Sequence, residues 1–221
     1  MKKFLFTVLI ITSTLITSVF AEIKIGIILG FTGPIRDLTP AMAESAEIAF
    51  KEASESGSLL NGETIKVERA DSTCKDASAA SDAAEEIISQ GVKAIIGGVC
   101  SEVTEIILSE AAVPNGIVMI SPAASSSSLT FLDDKGLFFR TTPSEARGGQ
   151  ILADITKDRR IKKVAITYTN NDYGKDLANA YKNAIQDHGL EVTIIASHED
   201  DKDDYSSEVA ALASAGGEAI A

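Results

Sequence analysis

Tryptophan is missing from this chain of 221 residues, aromatic side chains make up 5% of it, and histidine and cysteine occur twice each. Stacking platforms for bases or sugar rings need aromatic faces, so the chain is badly equipped for either. Two cysteines without neighbouring histidines make an incomplete zinc site. Positive charge is short as well: 20 Lys and Arg stand against 32 Asp and Glu, a formal net charge of −12. That balance repels phosphate backbones and anionic membranes, so neither nucleic acid nor a lipid surface is expected as a partner. Beyond the first 21 residues no apolar stretch is long enough to cross a bilayer.

Motifs of common enzymes are absent too. The loop LGFTGPI has neither G-x-G-x-x-G nor Walker spacing, and no G-x-S-x-G elbow occurs. The run HEDDKDD, from His198 to Asp204, lacks the glycine and terminal glutamate of a calcium loop, so it reads as a solvated loop with His198 beside it. His188 precedes Gly189 at a helix end and reads as structural. Asp71 and Asp76 flank Cys74 without forming a catalytic pair. The chain is therefore expected to be no enzyme and to need no metal or cofactor.

What is present begins with MKKFLFTVLIITSTLITSVFA, two lysines before an uncharged apolar run that closes on small residues, the pattern of a cleaved secretory signal peptide over residues 1–21. No cysteine follows the cleavage site, so a lipid anchor is not indicated. Removing Lys2 and Lys3 takes the net charge from −12 to −14, since the leader has no acidic residue. In an oxidising compartment Cys74 and Cys100 read as one disulfide, with a metal pair the weaker alternative. At the other end GGEAIA starts an apolar run that nothing closes, so the chain is expected to be a fragment cut inside a domain.

From Glu22 short β-branched runs alternate with amphipathic ones, which predicts βαβ units on parallel sheets. Strands are expected at Ile23–Leu29, Thr64–Ala70, within Val92–Gly97, at Ile117–Ile120, Phe138–Arg140, Val164–Tyr168 and Val192–Ile195. Helices are expected after Thr39-Pro40, over Ala77–Gln90, from Ser101 to 112, over Ser144–Lys157 and over Tyr173–His188. An Asn61-Gly62 turn precedes the second strand. The stretch VKAIIGGVCS is the organising one: a continuous apolar strand that ends in Gly97-Gly98 and delivers Cys100 and Ser101 to the carboxyl edge of a sheet, where open α/β sheets bind ligands. Ser101 is read there as a helix N-cap or as a ligand for an anion. SPAASSSSLT forms a second hydroxyl-rich junction of the same kind, with Ser126, Ser127 and Ser128 read as solvent-facing. A crossover to a second sheet is expected near Thr141–Ser144.

The leader, IKIGIILGFTGP, ADSTC, GGVCSEVT, ISPAASSSSLT, FFRTTPS and TNNDYGKDLA, in this order, resemble the periplasmic substrate-binding proteins of branched-chain amino acid ABC transporters. The resemblance covers the whole mature chain. It implies an α/β fold of the type 1 periplasmic binding protein, two Rossmann-like lobes with parallel sheets joined by crossing strands, the second lobe truncated here. Residues 22–141 would form the first lobe and 142–221 the incomplete second. It further implies that Ser101 and the hydroxyl and backbone of Ser125 take a ligand α-carboxylate and that the carbonyl of Ala123, with Ala124 in the same loop, meets the α-ammonium. Tyr173 would close over the ligand. The family's first-lobe aromatic falls on Leu38, and the acidic partner of the ammonium would lie after Ala221. Glu102 either caps its helix from outside or enters the cleft and selects a ligand with an extra donor. The implied function is capture of a small, aliphatic amino acid in the periplasm, by a monomer, for a membrane permease. A short amide, urea or a small carboxylate is the alternative ligand, and a receptor's sensing ectodomain the alternative setting.

Overall fold

β1 (Glu22–Leu29) starts exposed and runs into full burial at Ile27 and Ile28. In the computed structural model, which describes residues 22–59, 62–200 and 202–221, β1 pairs in parallel on both sides, with β2 (Thr64–Asp71) and β3 (Ala94–Gly97). The expected leader, residue 61 of the expected turn and residue 201 of the acidic run lie outside the described residues. β4 (Val118–Ser121) and β5 (Phe138–Arg140) extend the sheet, giving the all-parallel order β2-β1-β3-β4-β5.

The apolar runs exist because this sheet is covered on both faces. Ile28, Ile95 and Met119 pack against Ala80, Ala84 and Ile87 of α2 (Ala77–Ser89) and Val103 of α3 (Ser101–Ile106), whose line continues as a π-helical stretch, Ile107–Ala112. On the opposite face Ile27 and Leu29 meet Ala43 and Phe50 of α1 (Thr39–Glu55). Gly97 has φ +149°, and a Cβ there would stand 2.1 Å from the Ile28 carbonyl oxygen, so the close approach of β3 to β1 needs glycine. Thr39 is not the expected cap of α1: Leu38 holds that position without a side-chain bond, and the buried Thr39 hydroxyl donates to the Gly30 carbonyl at 2.9 Å.

The chain passes to a second parallel sheet through residues 141–144. β6 (Lys163–Thr169) is its centre, between β7 (Glu191–His198) and β8 (Ala219–Ile220). α4 (Glu145–Asp158) and α5 (Asp172–Asp187) pack together so closely that a Cβ on Gly149 would lie 2.5 Å from the backbone of Ala180 and Tyr181. Thr156 and Tyr181 close the same contact with a buried 2.6 Å hydrogen bond, and α6 (Ser206–Ser214) leads to β8. Side chains of Ser144 and Asn171 cap α4 and α5.

β7 is longer than expected, and His198 is corrected with it. The residue is the last of the strand, not part of a solvated loop: Nδ1 lies 2.8 Å from Thr167 Oγ1 and the ring meets Tyr205 edge-on. His188 does sit at a helix end, where Nε2 meets Asp154 Oδ1 at 2.8 Å.

Candidate functional site

Strand order decides where a cleft forms. In the order β2-β1-β3-β4-β5 the connections leave β1 and β3 in opposite directions, so the loops after these two strands part and open a crevice at the carboxyl edge. A cleft of about 830 Å³ lies there, walled on the far side by the loops after β6 and β7 and by the start of α4.

The first-sheet wall is built by hydrogen bonds between loops. Asp71, at the end of β2, accepts the Thr32 hydroxyl at 2.6 Å and the amides of Thr32 and Thr73 at 3.2 and 2.9 Å. Burial pushes its carboxyl up, but the hydrogen bonds from Thr32, Thr73 and Phe31 outweigh this and hold it below the ordinary carboxylate value. Asp71 is thus a structural anchor, and Asp76 is the N-cap of α2, accepting the Ala79 amide at 3.0 Å. Cys74 and Cys100 are joined by a disulfide, Cα atoms 5.5 Å apart, which ties the loop after β2 to the loop after β3. Both contribute to the cleft wall.

Ser101 is corrected in one respect. It is the first residue of α3, not its cap, a position taken by Cys100. Its Oγ, buried with 5% of the residue exposed, accepts the Ser126 amide at 3.1 Å. Ser121 makes a second tie, donating to the Gly98 carbonyl at 2.6 Å and accepting the Ala124 amide at 2.8 Å. These bonds pull the serine loop after β4 against the start of α3. Ser101, Ala123 and Ser125 therefore meet on one wall, while Ala124 is buried behind it. The Ser125 hydroxyl has no hydrogen-bond partner among the described residues.

Ser126 and Ser127 are not solvent-facing as expected. Ser126 is 2% exposed and Ser127 half-buried; only Ser128 of the three is exposed. They open a 3-10 turn, Ser127–Thr130, in which Ser126 accepts the Ser128 amide.

Across the cleft stand Thr169, Asn170, Asn171, Asp172 and Tyr173 after β6, and Glu199 and Asp200 after β7. The Asn170 side chain donates to Glu199 at 2.7 Å and its amide to the His198 carbonyl at 2.8 Å, which joins these two loops. Tyr173 is half-exposed; burial and the nearby Glu145 charge push its phenol up. Leu38 is exposed and lies outside the wall, where Pro34 and Ile35 represent its loop.

Charge is one-sided. Among the described residues, Glu102, Glu145, Asp172, Glu199 and Asp200 line the cleft together with one cation, Lys75. Glu102 thus lies in the wall. Sequence reasoning missed Glu145, Asn170, Glu199 and Asp200; their common signal is a polar run directly after a parallel strand or at a helix start. Among the described residues no three His, Cys, Asp or Glu side chains gather to hold a metal, and no helix is long and apolar enough to cross a membrane.

A model of the family described as periplasmic binding protein matches residues 22–221. A relative, the Leu/Ile/Val-binding protein homolog 3 of Brucella melitensis, is 31% identical over 207 residues, covering 92% of this chain and 55% of the relative. The solved leucine-binding protein LivK of Thermotoga maritima superposes with TM-score 0.79 at 26% identity, over 90% of this chain and 55% of that one. A solute-binding protein of R. palustris in complex with benzoate gives TM-score 0.80 at 21% identity, over 90% and 54%, a likeness of fold. The chain spans about half the length of the relatives it matches.

Proposed function

The chain belongs to the periplasmic binding protein family, and on that premise we propose that it captures a small aliphatic amino acid, a branched-chain one, for the membrane permease of an ABC importer. Residues 22–141 act as one ligand-binding lobe and 142–221 as part of a second, behind a cleaved leader at 1–21 that sends the protein to the periplasm as a monomer.

The observation that carries the reading is the combination of buried hydroxyls and surplus carboxylates in one cleft. Ser101 Oγ, already accepting from Ser126, keeps its own proton to donate to a ligand carboxylate. Ser125 supplies a second hydroxyl and its backbone N–H, the Ala123 carbonyl accepts from the ammonium, and Tyr173 covers the bound molecule. A bare carboxylate entering among five acidic side chains and one lysine is repelled, whereas a zwitterion brings the cation this field favours. Names of relatives point the same way, leucine, isoleucine and valine for the Brucella protein and leucine for the Thermotoga one.

Isothermal titration with leucine, isoleucine and valine, and with benzoate, urea and acetamide as comparators, tests the proposal. Heat and a thermal shift with at least one aliphatic amino acid are expected, with no substrate turnover. Silence with every amino acid overturns it.

A further inference from the structure

We propose that Asp176 is a positioning residue of the cleft, a carboxylate on α5 that reaches across to the first sheet and holds the serine loop where the ligand is bound. Its Oδ2 accepts the Ser127 backbone N–H at 2.6 Å, a bond between residues 49 apart in the chain. Among the described residues Asp176 forms no ion pair, and α5 does not need it as a cap, because Asn171 already accepts the Gly174 amide at 2.8 Å. A half-buried acid whose partner is a single amide in the loop after β4 is committed to that amide. Such a charge-assisted bond is about twice as strong as a neutral one.

The loop it grips is held from four directions. The Ser126 amide goes to Ser101 Oγ and the Ser126 carbonyl to Arg140 Nη1 at 2.7 Å; the Ser125 carbonyl accepts the Glu145 amide at 2.9 Å. Ser127 Oγ lies 2.9 Å from Ser144 Oγ. Asp176 is the α5 member of this set. Tyr173 precedes it by three residues, so the two lie on one helix face. One bond therefore fixes two things at once: the backbone two residues beyond Ser125, and the place of Tyr173 in the cleft wall.

The inference adds a residue to the binding reading and rests on it for its affinity arm only. The test compares the full chain with Asp176→Ala and Asp176→Asn. In the ligand-free proteins, exchange of the Ser127 amide hydrogen is expected to be slow in the wild type, about tenfold faster in Asp176→Ala, and intermediate in Asp176→Asn, whose side-chain oxygen still accepts. In leucine titrations Asp176→Ala should bind about tenfold more weakly through faster dissociation, with Asp176→Asn within about threefold of the wild type. Equal Ser127 exchange in wild type and Asp176→Ala overturns the proposal, and so does faster exchange with unchanged leucine affinity. If the wild type binds no amino acid the function reading fails instead, and the exchange comparison, which uses no ligand, still decides whether Asp176 holds the loop. Circular dichroism of Asp176→Asn keeps the test valid should the alanine variant misfold.

Discussion

The Ser101 hydroxyl accepts from the Ser126 amide and has a proton left to give. Replacing it by alanine should lower leucine affinity about ten- to a hundredfold, the worth of a hydrogen bond to a charged group, with a few degrees lost in ligand-free melting. Titration and scanning calorimetry check the pair; unchanged affinity with a lowered melting point would make Ser101 purely structural. Glu102, in the cleft wall, predicts a change of preference. Glu102→Gln should weaken leucine binding by about threefold and strengthen isobutyrate binding by a similar factor, because one repulsive charge is gone. Asp71 sets part of the acid limb of stability. Its folded pKa lies below the ordinary 3.8, so its contribution is complete above that value and is lost as pH falls through the lower folded one. Asp71→Asn should therefore destabilise the protein at neutral pH and flatten the fall in melting temperature below about pH 4.

At the scale of elements, the disulfide joins two loops that both wall the cleft. It closes a separation of 26 residues. In the chain-entropy model that is worth about 3.5 kcal/mol. The double replacement Cys74→Ser, Cys100→Ser should lower the melting temperature markedly and weaken binding as the two loops separate. Alkylation before intact-mass measurement should find no free thiol in protein recovered from the periplasm. The α4–α5 contact makes a sharper geometric demand. A Cβ on Gly149 would lie 2.5 Å from two backbone atoms of α5, so even a methyl group must push the helices apart. Gly149→Ala should cost about 1–3 kcal/mol, read from denaturant unfolding.

For the whole molecule, the two sheets wall one cleft and are joined by the Ser127–Asp176 bond. The chain itself, read as letters, already determined a great deal. Strand and helix periods from Ile23 to Ile195 yield the elements within a few residues, since burial on both faces of a parallel sheet forces continuous apolar runs. Ser101, Ser125 and Tyr173 come to the same cleft because each follows a parallel strand, and the Cys74–Cys100 pair is legible from two strands ending at one edge. Other features were decided by tertiary structure alone. Ser126 and Ser128 look alike in a run of serines, yet one is buried against Ser101 and the other is in water. His198 looks like the edge of an acidic loop and is the end of a strand, because Thr167 on the neighbouring strand gives its ring a partner. Glu145, Glu199 and Asp176 acquire their places in the same way. Backbone periodicity is a local property and is written along the chain, but a polar side chain's burial and partner depend on atoms dozens of residues away, which only the packing of one sheet's loops against the other's can supply.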